Sequence, residues 1–233
     1  MTGTILISGI SRGIGRGLTE AYLRDGWRVI GTLRDATRLP ATYADALGSG
    51  RLRLFEADMR DAASLAAMAD GLDEPLDVLI ASAGIMGERT ADTLHSDPSA
   101  YADVFDVNVL GPLRLVQALH PHLVRAARAR GRARVLAISS VMGSLSIAKS
   151  NAMPYRASKA ALNKLARGLA VDLAPQNIHL ATCHPGWVRT DMGGEGADIA
   201  IEESVAGLMA LVERLGPEIA GGFWNFDGGR LEW

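Results

Sequence analysis

The chain has 233 residues, 48% hydrophobic and 21% charged, with a formal net charge of −2. That balance excludes a disordered chain and provides none of the basic excess that nucleic-acid backbones or anionic membranes attract, so neither partner is expected. The single cysteine, Cys183, cannot form an internal disulfide, and no segment approaches the roughly 18 consecutive apolar residues that span a bilayer. With no basic leader or cleavage signal after Met1, a soluble protein of the reducing cytoplasm is expected.

Thr4–Ser8 reads as a strand, 15–25 as a helix and Arg28–Leu33 as a second strand, forming a β-α-β unit. A third strand is expected at 51–57, a helix at 62–71 and a fourth strand at 77–82, whose nearly unbroken apolar run suits a sheet covered on both faces. The pattern then repeats. A helix over 99–129, interrupted near Gly111 and Pro112, precedes a strand at 134–139; a helix over 154–173 precedes a strand at 178–183; and Ile201–Arg214 precedes a last strand at 222–226. Seven strands alternating with helices predict a three-layer, doubly wound α/β (Rossmann) fold with a seven-stranded parallel sheet, and residues 1–233 read as a single dinucleotide-binding catalytic domain.

Between the first strand and first helix lies Ser8-Gly9-Ile10-Ser11-Arg12-Gly13-Ile14-Gly15. Glycines there let the backbone turn sharply and approach a ligand, and the helix N-terminus presents free amides to a pyrophosphate. Gly9, Ser11, Arg12, Gly13, Ile14 and Gly15 are therefore candidate cofactor-binding residues. The second strand ends Leu33-Arg34-Asp35, where an acid would suit a ribose 2′-hydroxyl and an arginine a 2′-phosphate. Arg34, with Arg12 as a second cation, favours NADP(H) over NAD(H), although Asp35 weighs the other way. Asp58 is a candidate for the adenine edge or for a helix cap.

Tyr155 and Lys159 are four positions apart in a helical segment, so both project from one face. A nearby ammonium should lower the tyrosine pKa; a shift of about three units takes about 4 kcal/mol. Ser140, following the strand at 134–139, can donate to a substrate carbonyl or simply cap a turn.

The glycine loop, Asn108, Ser140, Tyr155 and Lys159 occur in the order and spacing of the short-chain dehydrogenase/reductase family, which the whole chain resembles. The segments Tyr155-Arg156-Ala157-Ser158-Lys159-Ala160-Ala161-Leu162-Asn163 and His184-Pro185-Gly186-Trp187-Val188-Arg189-Thr190-Asp191-Met192 most resemble C-factor-like and sniffer-like carbonyl reductases. The resemblance implies Tyr155 as proton donor in carbonyl reduction, Lys159 binding the nicotinamide ribose, Ser140 orienting the carbonyl and Asn108 supporting a water relay. It further implies cofactor contacts at Met59, Ala83, Gly84, Pro185, Gly186, Val188 and Thr190, a small carbonyl or alcohol substrate, and a homodimer or homotetramer. A non-catalytic dinucleotide-sensing or signalling module on the same fold is the alternative, and dehydration or epimerisation on the same scaffold is a third reading. Ala81-Ser82-Ala83-Gly84 replaces the family's usual Asn-Asn-Ala-Gly, which predicts weakened bracing between sheet and cofactor loop.

The loop from Trp187 to Asp198 and the segment from Gly84 to Ser96 are expected to wall the substrate pocket. The arginines at 125, 128, 130, 132 and 134 read as a solvated helix end. His120 and His122 point apart on a helix, so no metal site is expected. Phe223, Trp224 and Phe226 read as core or subunit-interface residues.

Overall fold

The computed structural model describes residues 2–233. Its strands are β1 (Thr4–Ser8), β2 (Arg28–Leu33), β3 (Leu52–Glu56), β4 (Val78–Ala81), β5 (Ala133–Ile138), β6 (Ile178–His184) and β7 (Phe223–Asn225). Its α-helices are α1 (Gly13–Arg24), α2 (Ala44–Gly48), α3 (Ala62–Asp70), α4 (Ser99–Phe105), α5 (Gly111–Arg130), α6 (Met153–Leu173) and α7 (Ile201–Arg214). The strands form one parallel sheet in the order β3-β2-β1-β4-β5-β6-β7. This is the expected doubly wound topology, with the strand order reversing between β1 and β4 and opening a crevice at their C-terminal ends.

Strand side chains alternate between two cores. Leu6 of β1 and Leu79 of β4 join the core built with α3, α5 and α6, whereas Ile5, Ile7, Val78 and Ile80 join the one built with α1 and α7. All six are fully buried, and burying a side chain of this size stabilises the fold by about 1.5–3 kcal/mol. Coverage on both faces explains why these strands read as continuous apolar runs. Helix α1 meets α7 closely at Gly17, where a Cβ would lie 2.6 Å from Ile201 Cγ2.

The interruption expected near Gly111 and Pro112 lies earlier and is of another kind. A π-helical turn, Asp106–Leu110, joins α4 to α5, and Pro112 falls in the first turn of α5, where its missing N–H is tolerated. The connection after β2 holds α2 and two 3₁₀ turns, Ala36–Arg38 and Ala41–Tyr43, elements too short to produce a hydrophobic period. Phe223 is buried and stacks on Trp233, with Trp224 and Phe226 packed against the second core. Arg130 pairs with Asp77, whose carboxylate also accepts from Thr4 N, so this part of the basic cluster ties the end of α5 to the sheet. Among the described residues no helix is long and apolar enough to cross a membrane.

Candidate active site

The glycine loop is shaped by contacts that leave no room for side chains. Gly9 (φ +78°) and Gly13 (φ +56°) occupy the left-handed region. A Cβ on Gly9 would lie 3.1 Å from Ala83 Cα, and one on Gly15 would lie 2.3 Å from the Gly9 carbonyl oxygen. Arg12 at the N-cap of α1 makes no side-chain capping bond, and no acid occupies the first turn. The loop and the helix end thus form a cradle whose geometry and dipole fit a pyrophosphate.

The expected weakening at Ala81-Ser82-Ala83-Gly84 is offset from the first strand. Ser8 Oγ accepts from both Ser82 N (3.0 Å) and Ala83 N (3.1 Å), so a single hydroxyl at the end of β1 holds the backbone leaving β4. Sequence reading passed over Ser8; its signal was a hydroxyl at the last position of an otherwise apolar strand.

A cavity of about 1070 Å³ runs from this cradle to Tyr155, lined by every candidate residue named above except Asn108. At its adenosine end a recess of about 370 Å³ gathers Arg12, Arg34, Arg38 and Arg60 around Ser11, Leu33, Asp35 and Asp58. Asp35 caps the following 3₁₀ turn, accepting from Thr37 N (2.9 Å) and Thr37 Oγ1 (2.6 Å); these bonds hold its carboxyl below the usual range. Asp58 accepts from the Arg60 backbone and guanidinium, while the N-cap of α3 is Asp61. Arg12 pairs at 2.9 Å with Asp191, both side chains largely exposed. Met59 is buried against Gly111, where an added Cβ would lie 2.8 Å from Met59 Cβ.

At the other end, α6 presents Tyr155 and Lys159 to the cavity beside the end of β5. Lys159 Nζ lies 5.5 Å from the Tyr155 ring centroid and donates to the Ile138 carbonyl at 2.8 Å. Ser140 Oγ accepts from Met142 N (3.1 Å), capping a 3₁₀ turn, which is the simpler of the two readings of this serine. That turn sits directly on α6, because a Cβ at Gly143 would lie 2.6 Å from the Lys159 carbonyl carbon.

One electrostatic expectation is reversed. Tyr155 is 7% exposed and Lys159 4% exposed. Burial pushes the phenol up to about 12, eased by Ser140, and lowers the Lys159 ammonium to about 8. Loss of hydration penalises each charged form more than their proximity favours it. The helical spacing brought the two groups together as predicted, but spacing carries no information on desolvation.

Asn108 also differs from expectation. It is fully buried in the π turn, and its amide is committed: Oδ1 accepts from Ile85 N (2.9 Å), and Nδ2 donates to Ile85 O (2.9 Å) and Ser158 Oγ (3.0 Å). The side chain therefore braces the segment after β4 against α6 instead of facing the cavity, and the water relay is not carried over to its amide. Gly84 passes close by, with an added Cβ 3.2 Å from Asn108 Oδ1 and 3.7 Å from Lys159 Nζ.

Of the two expected walls only the first part of each lines the cavity, Gly84 to Ala91 and Trp187 to Gly193, and the two are bridged by Arg89, which donates to the Met192 carbonyl at 2.7 Å. Thr190 Oγ1 accepts from Gly193 N and donates to Val188 O, and Trp187 Nε1 donates to Gly193 O, so the second wall is stitched internally. Gly186 (φ +87°) turns the chain where a Cβ would meet Ile199 at 2.3 Å. Sequence reading missed a third wall, from Val141 through Lys149 and Asn151 to Ala152, together with the buried Arg156 and the half-buried His184. Burial lowers the His184 imidazole to about 4, and its Nδ1 has no partner. His120 and His122 turn to different partners, Gln176 and the Glu74 carbonyl.

Residues 3–198 match the short chain dehydrogenase family. The chain belongs to that family. It is 40% identical over 162 residues to the C-signal protein of Myxococcus xanthus, covering 68% of this chain and 93% of that one. The structure of the carbonyl reductase Sniffer of D. melanogaster superposes with a TM-score of 0.94 at 31% identity, covering both chains completely. An NADPH-bound carbonyl reductase from chicken fatty liver gives a TM-score of 0.91, also at 31% identity, over 100% of this chain and 99% of that one. The protein is thus an oxidoreductase of the class that interconverts CH–OH and C=O groups with a nicotinamide dinucleotide.

Proposed function

We propose that residues 1–233 act as one catalytic domain that reduces a ketone or aldehyde with NADPH, Tyr155 delivering the proton. The observation carrying this reading is the burial of Tyr155 and Lys159 side by side, one helical turn apart, in the cavity that begins at the glycine cradle. The cradle residues Gly9, Ser11, Arg12, Gly13, Ile14 and Gly15 would hold the pyrophosphate. Met59 and Asp58 would meet the adenine, and Ala83, Gly84, Pro185, Gly186, Val188 and Thr190 the nicotinamide half. Arg34 and Arg12 in the recess, with Asp35 drawn into a cap, favour the 2′-phosphate, and the NADPH in the chicken liver relative supports this choice over NAD(H).

When bound, the cofactor supplies a hydride to the carbonyl carbon. Ser140 and Tyr155 donate hydrogen bonds to the carbonyl oxygen, and the phenol gives up its proton as that oxygen gains charge. A phenol held near 12 is fully protonated at neutral pH, the form required of the donor. Lys159 stabilises the phenolate left behind. Asn108 is a positioning residue that keeps α6 and the loop after β4 in register. Association through the long helices around Asn108 and Tyr155 into a homodimer or homotetramer is supported by exposed apolar side chains on them, Leu110 in the π turn before α5 and Val171 on α6.

The test follows NADPH absorbance with a panel of ketones and aldehydes. Tyr155→Phe is expected to lower kcat by about 10²–10⁴-fold with NADPH binding retained. Unchanged turnover in that variant overturns the assignment, and NADPH binding without turnover of any carbonyl favours a sensor.

A further inference from the structure

The substrate end of the cavity is basic in a way the cofactor does not explain. Arg89 from the loop after β4, Lys149 from the loop before α6, and Arg156 from α6 itself all line it. Arg156 is 9% exposed, yet its three hydrogen bonds go to neutral oxygens, Asn151 O (2.8 Å), Asn151 Oδ1 (3.1 Å) and Met142 O (3.4 Å). Burial lowers its pKa, and among the described residues no carboxylate pairs with it, nor with Arg89 or Lys149. The cavity has two lining carboxylates, Asp58 and Asp191, paired with Arg60 and Arg12 and not with Arg89, Lys149 or Arg156. Glu88, Asp92 and Glu195 belong to the same loops but do not line the cavity.

A guanidinium hydrogen-bonded only to neutral oxygens leaves its charge unpaired, and an anion in the adjoining cavity would lower the energy of that charge. The recess at the other end has its own cations on other elements: Arg34 and Arg38 make no ion pair among the described residues, and Arg12 and Arg60 are paired with Asp191 and Asp58. Arg89 spends one N–H on Met192 O and retains others in fork geometry, which suits a planar carboxylate. Lys149 adds a mobile point charge at the same mouth.

Resting on the reductase reading above, we propose that the physiological substrate is a carbonyl compound that also carries a carboxylate, received by Arg89 and Lys149 in the positive field backed by Arg156. The reacting carbonyl lies at Tyr155, and the carboxylate, held by groups outside the Tyr155-Lys159-Ser140 set, sets specificity without entering the chemistry.

The test compares 4-carboxybenzaldehyde with the neutral 4-formylbenzamide as substrates of the NADPH-loaded enzyme, and benzoate with benzamide as non-reducible ligands by calorimetry. The carboxylate member is expected to be favoured by about tenfold in kcat/KM and in affinity, with the preference shrinking as salt is added. In the Arg89→Gln, Lys149→Gln double variant both ratios should fall towards one. Equal or better use of the neutral partner, or ratios unchanged in the double variant, overturns the inference while leaving the reductase intact. Selective benzoate binding without reduction of either aldehyde supports the anion site and counts against the reductase reading. Absence of a carboxylate preference in both turnover and binding removes the site.

Discussion

The two ends of the cavity are built on opposite principles. Around Tyr155, Lys159 and Ser140 the polar groups are buried, fixed by α6, the end of β5 and backbone partners. Around the adenosine recess, Arg12, Arg34, Arg38 and Arg60 are exposed, and Arg12 and Arg60 pair with Asp191 and Asp58. Buried groups keep one geometry and have strongly shifted proton affinities, so changes there reach turnover and stability together. Exposed groups act through screened charge, so changes there reach cofactor choice and leave the scaffold intact.

The sharpest way to break this contrast is Lys159→Met, which removes the buried cation with little change in volume. A fall in kcat of about 10²-fold is expected, the loss typical of one charge-stabilising group, as measured by single-turnover NADPH oxidation. A fall confined to cofactor affinity would place Lys159 with the exposed cations instead.

A smaller effect is expected at the open end. Arg34→Asp should reduce the preference for NADPH over NADH by about tenfold, read as the ratio of kcat/KM values, with the melting temperature little changed. An unchanged ratio would transfer the 2′-phosphate contact to Arg12, Arg38 or Arg60.

The smallest effect concerns pH. Lys159 is shifted down from 10.5 to about 8, so the folded state binds fewer protons than the unfolded state between those values, and stability gained from Lys159 rises with pH across that window. The penalty for burying the charge is fully present below pH 8. Raised Cys183 and Tyr155 act in the opposite direction at higher pH and are present in both proteins. The difference in unfolding free energy between wild type and Lys159→Met should therefore shift in favour of wild type by at most about 1.4 kcal/mol per pH unit above pH 8, measured by denaturant titration. A flat difference would mean that the ammonium is hydrated and that the closed end is more open than its burial indicates.

The same contrast marks what was legible in the sequence. Strand and helix order, the glycine cradle and the shared face of Tyr155 and Lys159 follow from periodicity and backbone sterics, which are local properties. The raised phenol, the double acceptor at Ser8 and the closed amide pairing of Asn108 with Ile85 arise between residues far apart in the chain, and no local pattern encodes them. Arg156 was visible as a residue, but its burial without a counter-ion exists only once the loop carrying Met142 and Asn151 folds over α6. The third cavity wall was missed for a related reason: residues 141–152 contain little regular structure, so they have no period to read.

The π turn at Asp106–Leu110 has a consequence for how this helix tolerates changes in length. Removing one residue there would restore α-helical winding with α4 and α5 still nearly in phase, because the wider turn takes up one extra residue, but it would abolish the widened turn from which Asn108 projects. Asn108 would swing away from Ile85, and the loop after β4 would lose its clasp while the sheet stayed whole. Insertions and deletions between α4 and α5 should therefore be far less tolerated than in the outer loops, although no reacting group lies within the turn.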